Sequence, residues 1–274
     1  MLTYLATTHV LIKVTIFFLV WTCAWLPLGI TVAKIVNWQP PQPLSNEQKL
    51  PLLASLYLIA PLIVWGFMEV ENSSWLDYGL VWRFTLLKSL GWGLILGITG
   101  IAIIFGLKLA LGWVVWNGEN LARLWSVYLP ILGLGLWVGI TEELVFRGLL
   151  INELTENYPL WLGATISSII FALLHLLWER QKTIPQLPGL WLMGMVLVLA
   201  RWVDHSNLGL AWGLHAGWIW GLSCLDAAQL ISYTDKGLNW IIGIGKQPLA
   251  GLAGILCLLG TGGFLLLTVR IFAI

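Results

Sequence analysis

The run VTIFFLVWTCAWLPLGITVA, residues 14–33, holds twenty residues without one charged side chain. A helix needs about 20 mostly apolar residues to cross the hydrocarbon core of a bilayer, so this run alone predicts a membrane-spanning helix. Lys13 is the one charged residue that precedes it. Because no small-residue cleavage site stands out, we interpret the run as a permanent anchor and not as a cleaved signal peptide.

The composition of the whole chain is that of a membrane protein. Of its 274 residues, 59% are hydrophobic and 10% are charged, whereas charged residues approach about a quarter of a soluble domain. Lysine and arginine number 14 against 13 aspartates and glutamates, so there is no basic surface to hold nucleic acid. The three cysteines form no CxxC pair, which argues against a thiolate zinc site.

Seven further apolar runs follow the first, separated by short polar connections. Together the runs predict an all-α fold, a polytopic transmembrane bundle of about eight helices that forms one domain over residues 1–274. The proline-rich residues 38–51 predict a connection, and residues 71–88, where charges alternate with tryptophan, predict an amphipathic interfacial stretch. The eight runs cover approximately residues 14–33, 52–68, 90–113, 128–156, 160–177, 188–203, 208–224 and 249–272.

The segment GITEELVFRG, residues 139–148, carries three charges within an apolar helix. An ionisable side chain at membrane depth costs several kcal/mol, so such residues are candidates for function. Glu143 and Arg147 have the i,i+4 spacing of a helix ion pair, and we interpret them as a structural pair. Glu142 points about 100° away from Glu143 and has no such local partner. Glu142 is therefore the functional candidate.

Two histidines lie in equally apolar surroundings, His175 in FALLHLLW and His215 in GLAWGLHAGWIWG. Glu142 and His175 are at similar distances along the chain from Tyr158, in the turn between their predicted helices. At 1.5 Å per residue, both lie roughly 25 Å from that turn, so an acid and an imidazole share one depth. Phe171, four residues before His175, can brace its ring from the same helix face.

The order of these motifs resembles a known family. EExxxR at residues 142–147, FxxxH at residues 171–175 and the intramembrane His215 are similar to the motifs of the CPBP family. This family contains the CAAX proteases and bacteriocin-processing proteins, is also called Abi, and includes the type II CAAX prenyl endopeptidase. The resemblance covers a core at about residues 128–223 and implies an eight-helix intramembrane peptidase.

The resemblance also implies roles for single residues. Glu142 corresponds to the glutamate that activates water, and His175 and His215 correspond to the two histidines that complete the catalytic site. The family usually has Asn or Asp four residues after the last histidine, where this chain has Ile219. Three substitutes are open at that position: a water molecule, Asn207, which lies eight residues before His215 on the same helical face, or an apolar gap that marks the protein as inactive.

The implied reaction is hydrolysis of a peptide bond in a membrane-associated or C-terminally lipidated peptide. Glu142, His175 and His215 would position the water directly, or would hold Zn²⁺ or another divalent cation that does so. The helical HExxH zinc motif is absent from the sequence, so the residues leave both routes open. We expect a multi-pass protein of a prokaryotic-type plasma membrane or a related internal membrane.

Other functions are compatible with parts of this pattern. Ile219 favours an inactive scaffold or regulator that binds peptide segments in the same cavity. His175 and His215 could instead ligate a b-type haem, although this leaves the charged helix unexplained. A proton-relaying transporter would use the same charges, but the sequence shows no inverted repeat. His9 and His205 lie near predicted interfaces and need no catalytic role.

Overall fold

The computed structural model describes residues 8–39, 42, 44–234 and 236–272, and helices dominate it. Each of the eight apolar runs corresponds to a helix, which confirms the predicted all-α polytopic bundle. In chain order the α-helices are α1 (Val10–Ile35), α2 (Asn46–Glu71), α3 (Phe84–Ala110), α4 (Leu121–Glu143), α5 (Leu150–Asn157), α6 (Leu160–Leu174), α7 (Leu176–Thr183), α8 (Leu187–Val203), α9 (Gly209–Ala227), α10 (Asn239–Ile242) and α11 (Leu252–Phe272).

The chain is an integral membrane protein. Within the described ranges, five helical segments are long and apolar enough to cross a bilayer: Val10–Ile35, Glu47–Glu71, Phe84–Ala110, Gly118–Asn157 and Leu176–Val203. Two more apolar helices, α6 and α11, are shorter. The predicted number of about eight includes these shorter helices and α9, which is largely buried between α3 and α4.

The contact between α3 and α9 depends on glycine. A Cβ atom at Gly213 would overlap the carbonyl oxygen of Leu90, and one at Gly97 would lie 2.6 Å from the carbonyl oxygen of Leu214. Because glycine has no side chain, the two helix backbones touch at these positions, as in other membrane helix pairs. This close approach holds in place the middle of α9, which carries His215.

A π-helical turn, Leu144–Leu149, joins α4 to α5, so that one continuous helix runs from Gly118 to Asn157. The wider turn changes the backbone hydrogen-bonding pattern directly after Glu143. Arg201 of α8 is buried beside it and donates from Nη1 to the carbonyl oxygens of Arg147 and Gly148. Single π-helical turns within α-helices are frequent at functional sites.

Two connections differ from the predictions. The connection predicted at residues 38–51 ends early, because Ser45 and Gln48 form a capping box that starts α2 before Pro51. Pro40, Pro41 and Pro43 lie outside the described residues. Of the predicted interfacial stretch at residues 71–88, residues 72–83 form turns, since the Asp77 carboxylate accepts hydrogen bonds from the backbone N–H and the hydroxyl of Ser74.

A small antiparallel sheet lies outside the helices. Strand β1 (Val114–Trp116) follows α3 and pairs with β2 (Ile231–Tyr233), which follows α9. These strands are not predictable from the sequence, because each has three residues and lies beside a long apolar run. The sheet ties together the ends of the two helices that contact through glycine.

Candidate active site

Glu142 lies near the end of α4 and is almost completely buried. The hydroxyl of Tyr57, from α2, donates a hydrogen bond to Glu142 Oε1. Nε2 of His215, from α9, lies 3.5 Å from Glu142 Oε2. Three helices thus bring one acid, one imidazole and one phenol together away from water.

Glu143, the neighbouring acid, contacts the other side of the same imidazole. Its Oε1 lies 2.7 Å from His215 Nδ1 and accepts a hydrogen bond of 3.0 Å from Arg147 Nη1. His215 therefore lies between two carboxylates, Glu143 at Nδ1 and Glu142 at Nε2. A neutral imidazole that donates Nδ1–H to Glu143 presents an acceptor at Nε2, and a protonated one presents donors to both acids.

Arg147 is fully buried one turn after Glu143. Its guanidinium carbon lies 4.5 Å from the centroid of the Phe171 ring, so a cation–π contact adds to the ion pair. Within the part of the chain that the structure describes, Arg147 Nε and Nη2 and Glu143 Oε2 have no hydrogen-bond partner. The pair is buried, and the charge of Arg147 is balanced by Glu143, which also contacts His215.

His175 lies at the end of α6, where it separates α6 from α7. Its Nδ1 lies 2.8 Å from the carbonyl oxygen of Phe171, and the two ring centroids are 4.6 Å apart. The Phe171 ring also lies 6.1 Å from the His215 ring. Phe171 therefore contacts both imidazoles and the Arg147 guanidinium, and it links His175 to the buried charges.

Two residues of the predicted site lie elsewhere or lack the expected chemistry. Asn207 was expected on the helical face of His215, but α9 begins only at Gly209, and Asn207 Oδ1 accepts a hydrogen bond of 2.9 Å from the Gly209 N–H. Asn207 therefore caps the turn before the helix. Ile219 faces α4, where its Cγ2 would lie 3.5 Å from a Cβ atom at Gly135. It offers no polar group.

Tyr57 belongs to this site although no motif in the sequence predicted it. It lies in the middle of an apolar run that carries no motif, and a tyrosine in such a run is ordinarily explained by packing. Its one distinguishing signal is its central position, since tyrosines in membrane helices favour the interfaces. A buried phenol at that depth needs a hydrogen-bond partner.

The three predicted metal ligands do not fit a metal ion in this arrangement. Among the described residues, the group of three acidic or histidine side chains whose ligand atoms lie within 4.8 Å of one another is Glu71, Glu153 and Glu156, and it does not include Glu142, His175 and His215. That acidic group already holds a cation, because Lys13 Nζ lies 2.8 to 3.3 Å from all three carboxylates. We therefore derive no catalytic step through a metal.

Comparisons with known proteins find a similarity over the part of the chain that contains Glu142, His175 and His215. Residues 124–221 match the family model described as type II CAAX prenyl endopeptidase Rce1-like. An uncharacterised 24.3 kDa protein of Escherichia coli is 31% identical over 78 residues, which are 28% of this chain. The match spans about a third (35%) of that relative's length. No solved structure matches the chain.

Proposed function

We propose that this chain, whose residues 124–221 match the Rce1-like family model, belongs to the CAAX protease family and hydrolyses peptide bonds inside the membrane. One observation carries the proposal: Glu142 is buried in a helix long and apolar enough to cross a membrane, and its carboxylate faces the imidazole of His215 at 3.5 Å. A buried acid that contacts an imidazole suits proton transfer, whereas mere structural support would be met by an apolar side chain.

The mechanism begins with a water molecule beside Glu142. The carboxylate accepts a proton from this water as the water oxygen attacks the peptide carbonyl carbon, which forms a tetrahedral intermediate. The proton is then delivered from Glu142 to the leaving nitrogen as the carbon–nitrogen bond breaks. Glu142 ends in its original ionised form, and the products are a carboxylic acid and an amine.

Glu143 and Arg147 act through His215. Glu143 contacts Nδ1 of the imidazole and thereby fixes the ring so that Nε2 faces Glu142. Arg147 in turn neutralises Glu143. The pair holds His215 in one orientation, and fixed polar groups stabilise developing charge better than mobile ones do.

His175 belongs to the proposed site through Phe171. The aromatic ring fixes the imidazole from one side, and the carbonyl oxygen of Phe171 engages Nδ1. We propose that His175 orients the water or the peptide from the half-buried end of α6, where a substrate could approach. His175 is more exposed than His215, which agrees with a role nearer the substrate.

The proposed substrate is a peptide segment that reaches the bilayer, either a membrane-associated peptide or one with a C-terminal lipid. The family description names a prenyl endopeptidase, and Glu142 and Tyr57 of the candidate site lie within helices long and apolar enough to cross a membrane. An extended lipid-anchored C-terminus would present its peptide bonds at this depth without first unfolding a spanning helix. We propose the plasma membrane of a prokaryotic-type cell, or a related internal membrane, as its location.

The scaffold and haem alternatives have less support. Hydrolysis needs a buried acid with polar partners, and Glu142 has two such partners in Tyr57 and His215. A scaffold that binds peptides requires no such contacts. Both ring nitrogens of His215 face carboxylates, whereas an axial haem ligand must offer one nitrogen to iron.

The test compares purified wild-type protein with Glu142→Gln in proteoliposomes. Each is incubated with a peptide that carries a farnesylated C-terminus and with the same peptide without the lipid, and the products are identified by mass spectrometry. We expect the substitution to lower the cleavage rate by at least about 100-fold while the protein stays folded, because Gln keeps the volume and removes the base. Glu119→Gln, at an exposed position, is the matched control. Equal rates for wild type and Glu142→Gln would contradict the role of Glu142.

A further inference from the structure

We infer that the Tyr57 hydroxyl donates the hydrogen bond that stabilises the oxyanion of the tetrahedral intermediate. The inference rests on the proposed hydrolysis and adds a residue to it. Tyr57 belongs to α2, outside residues 124–221, where the family model matches. The hydroxyl is buried, and its hydrogen bond goes to the carboxylate proposed as the base.

The groups already engaged leave the role of a neutral donor to another residue. Amide hydrolysis needs a donor aimed at the oxygen on which negative charge develops. Arg147 pairs with Glu143, and His215 lies between two carboxylates. Ile219, one turn after His215, carries no polar group. The Tyr57 hydroxyl, which contacts Glu142, is a neutral O–H donor and can take this role.

The surroundings of Tyr57 hold its hydroxyl at Glu142. The phenol ring packs edge to face on Trp137, with the ring centroids 6.2 Å apart. Trp137 lies on the same helix as Glu142, and the hydroxyl of Thr141 donates to its carbonyl oxygen at 2.9 Å. Ring and carboxylate are thus positioned by one helix, which limits the freedom of the hydroxyl. Because the ring is held in place, only the O–H bond has to change direction during the reaction, so little reorganisation is needed.

The reaction geometry brings the oxyanion within reach of this hydroxyl. The attacking water must lie within hydrogen-bond distance of Glu142, and the carbonyl oxygen is one bond from the carbon that the water attacks. As Glu142 accepts the proton, negative charge leaves its carboxylate and appears on the carbonyl oxygen. The Tyr57 hydroxyl then turns about its C–O bond from Glu142 to the oxyanion. Tyr57 keeps its own proton throughout.

The first variant is Tyr57→Phe, which removes the hydroxyl and keeps the ring. We expect kcat for the lipidated peptide to fall by about 10²- to 10³-fold with little change in KM, as for the loss of other oxyanion donors. Tyr128→Phe, a half-exposed tyrosine on α4, is the control. If Tyr57→Phe stays within about threefold of wild type while Glu142→Gln is inactive, the inference is wrong and the proposed hydrolysis stands. If wild type itself cleaves nothing, the proposed hydrolysis fails first.

A second variant separates a donor from a packing role. Ile219→Asn places an amide one helical turn after His215, on the face that carries its imidazole. In the Tyr57→Phe background, we expect Ile219→Asn to raise the cleavage rate at least about tenfold. In the wild-type background, we expect it to change the rate by less than that, because one good donor suffices. If the double variant, Tyr57→Phe with Ile219→Asn, is as inactive as Tyr57→Phe alone, the role of Tyr57 is to hold Glu142, and the inference is overturned.

Should Tyr57→Phe fail to fold, as judged by its thermal unfolding, 3-fluorotyrosine at position 57 replaces it. This analogue keeps the ring and the hydroxyl but changes the strength of the hydroxyl as a donor. A change in kcat without a change in KM supports the inference. An unchanged kcat overturns it.

Discussion

Glu143 and Arg147 bring opposite charges together where water does not reach, and each has atoms with no other partner among the described residues. The i,i+4 spacing was sufficient to predict this contact from the sequence, because helix geometry alone sets it. The same reasoning found Glu142 and His215 as charged or polar residues in apolar runs. Tyr57 could not be found in this way, since its contact with Glu142 depends on how α2 packs against α4.

Removal of the Arg147 side chain should cost stability before it costs chemistry. Arg147→Ala removes the guanidinium that neutralises the buried Glu143 and leaves the His215 imidazole as its remaining contact, and we expect a loss of about 3–5 kcal/mol in the free energy of unfolding. Thermal unfolding in detergent measures the change. Arg123→Ala, which removes an exposed arginine, is the matched control and should change stability by less than about 1 kcal/mol. An Arg147→Ala protein as stable as wild type would show that the pair does not hold the site together.

At the scale of the element, the π-helical turn at Leu144–Leu149 shapes the site. The apolar run at residues 128–156 predicted where this helix ends but not its start, which lies earlier at Leu121. It did not predict the wider turn either, because apolar periodicity does not distinguish one π-helical turn from α-helix. The turn has a partner distant in sequence, Arg201 of α8, whose side chain donates to backbone carbonyl oxygens at Asp77, Arg147, Gly148 and Ser206. In the π-helical turn, Arg201 thus supplies hydrogen bonds to carbonyl oxygens close to Glu142 and Glu143.

Arg201→Met tests the importance of that turn. The substitution leaves buried carbonyl oxygens without donors, each at a cost of about 1–3 kcal/mol, so we expect both the unfolding temperature and the cleavage rate to fall. Arg180→Met, at an exposed position, serves as the control. Unchanged stability and activity would mean that the turn holds its shape without Arg201.

The glycine contact between α3 and α9 is a second element that positions the site. Gly213→Ala places a methyl group against the carbonyl oxygen of Leu90, so the two helices must separate and carry His215 away from Glu142. We expect a loss of stability of about 1–3 kcal/mol and a lower cleavage rate. Gly91→Ala, on the partner helix α3, adds its methyl group to open space and is the control. Equal behaviour of both variants would contradict a close contact at Gly213.

Across the whole molecule, apolar length was enough to predict the class of fold and the approximate position of each helix. Length does not say which helices cross the bilayer fully, since α6 ends after 15 residues at His175. Nor does it reveal contacts between distant segments. Lys13, taken as a flank of the first run, reaches three carboxylates on α2 and α5. Such contacts arise from packing that no local pattern records.

The central claim is that Glu142 activates a water molecule that cleaves a peptide bond within this fold. Hydrolysis in ¹⁸O-labelled water tests it most directly, because the attacking water becomes part of the new carboxylate. Proteoliposomes with wild-type protein and the farnesylated peptide should yield a product acid that carries one ¹⁸O atom, and Glu142→Gln should yield at least about 100-fold less of it. Label appearing at the same rate with both proteins, or no cleavage by wild type, would contradict the claim.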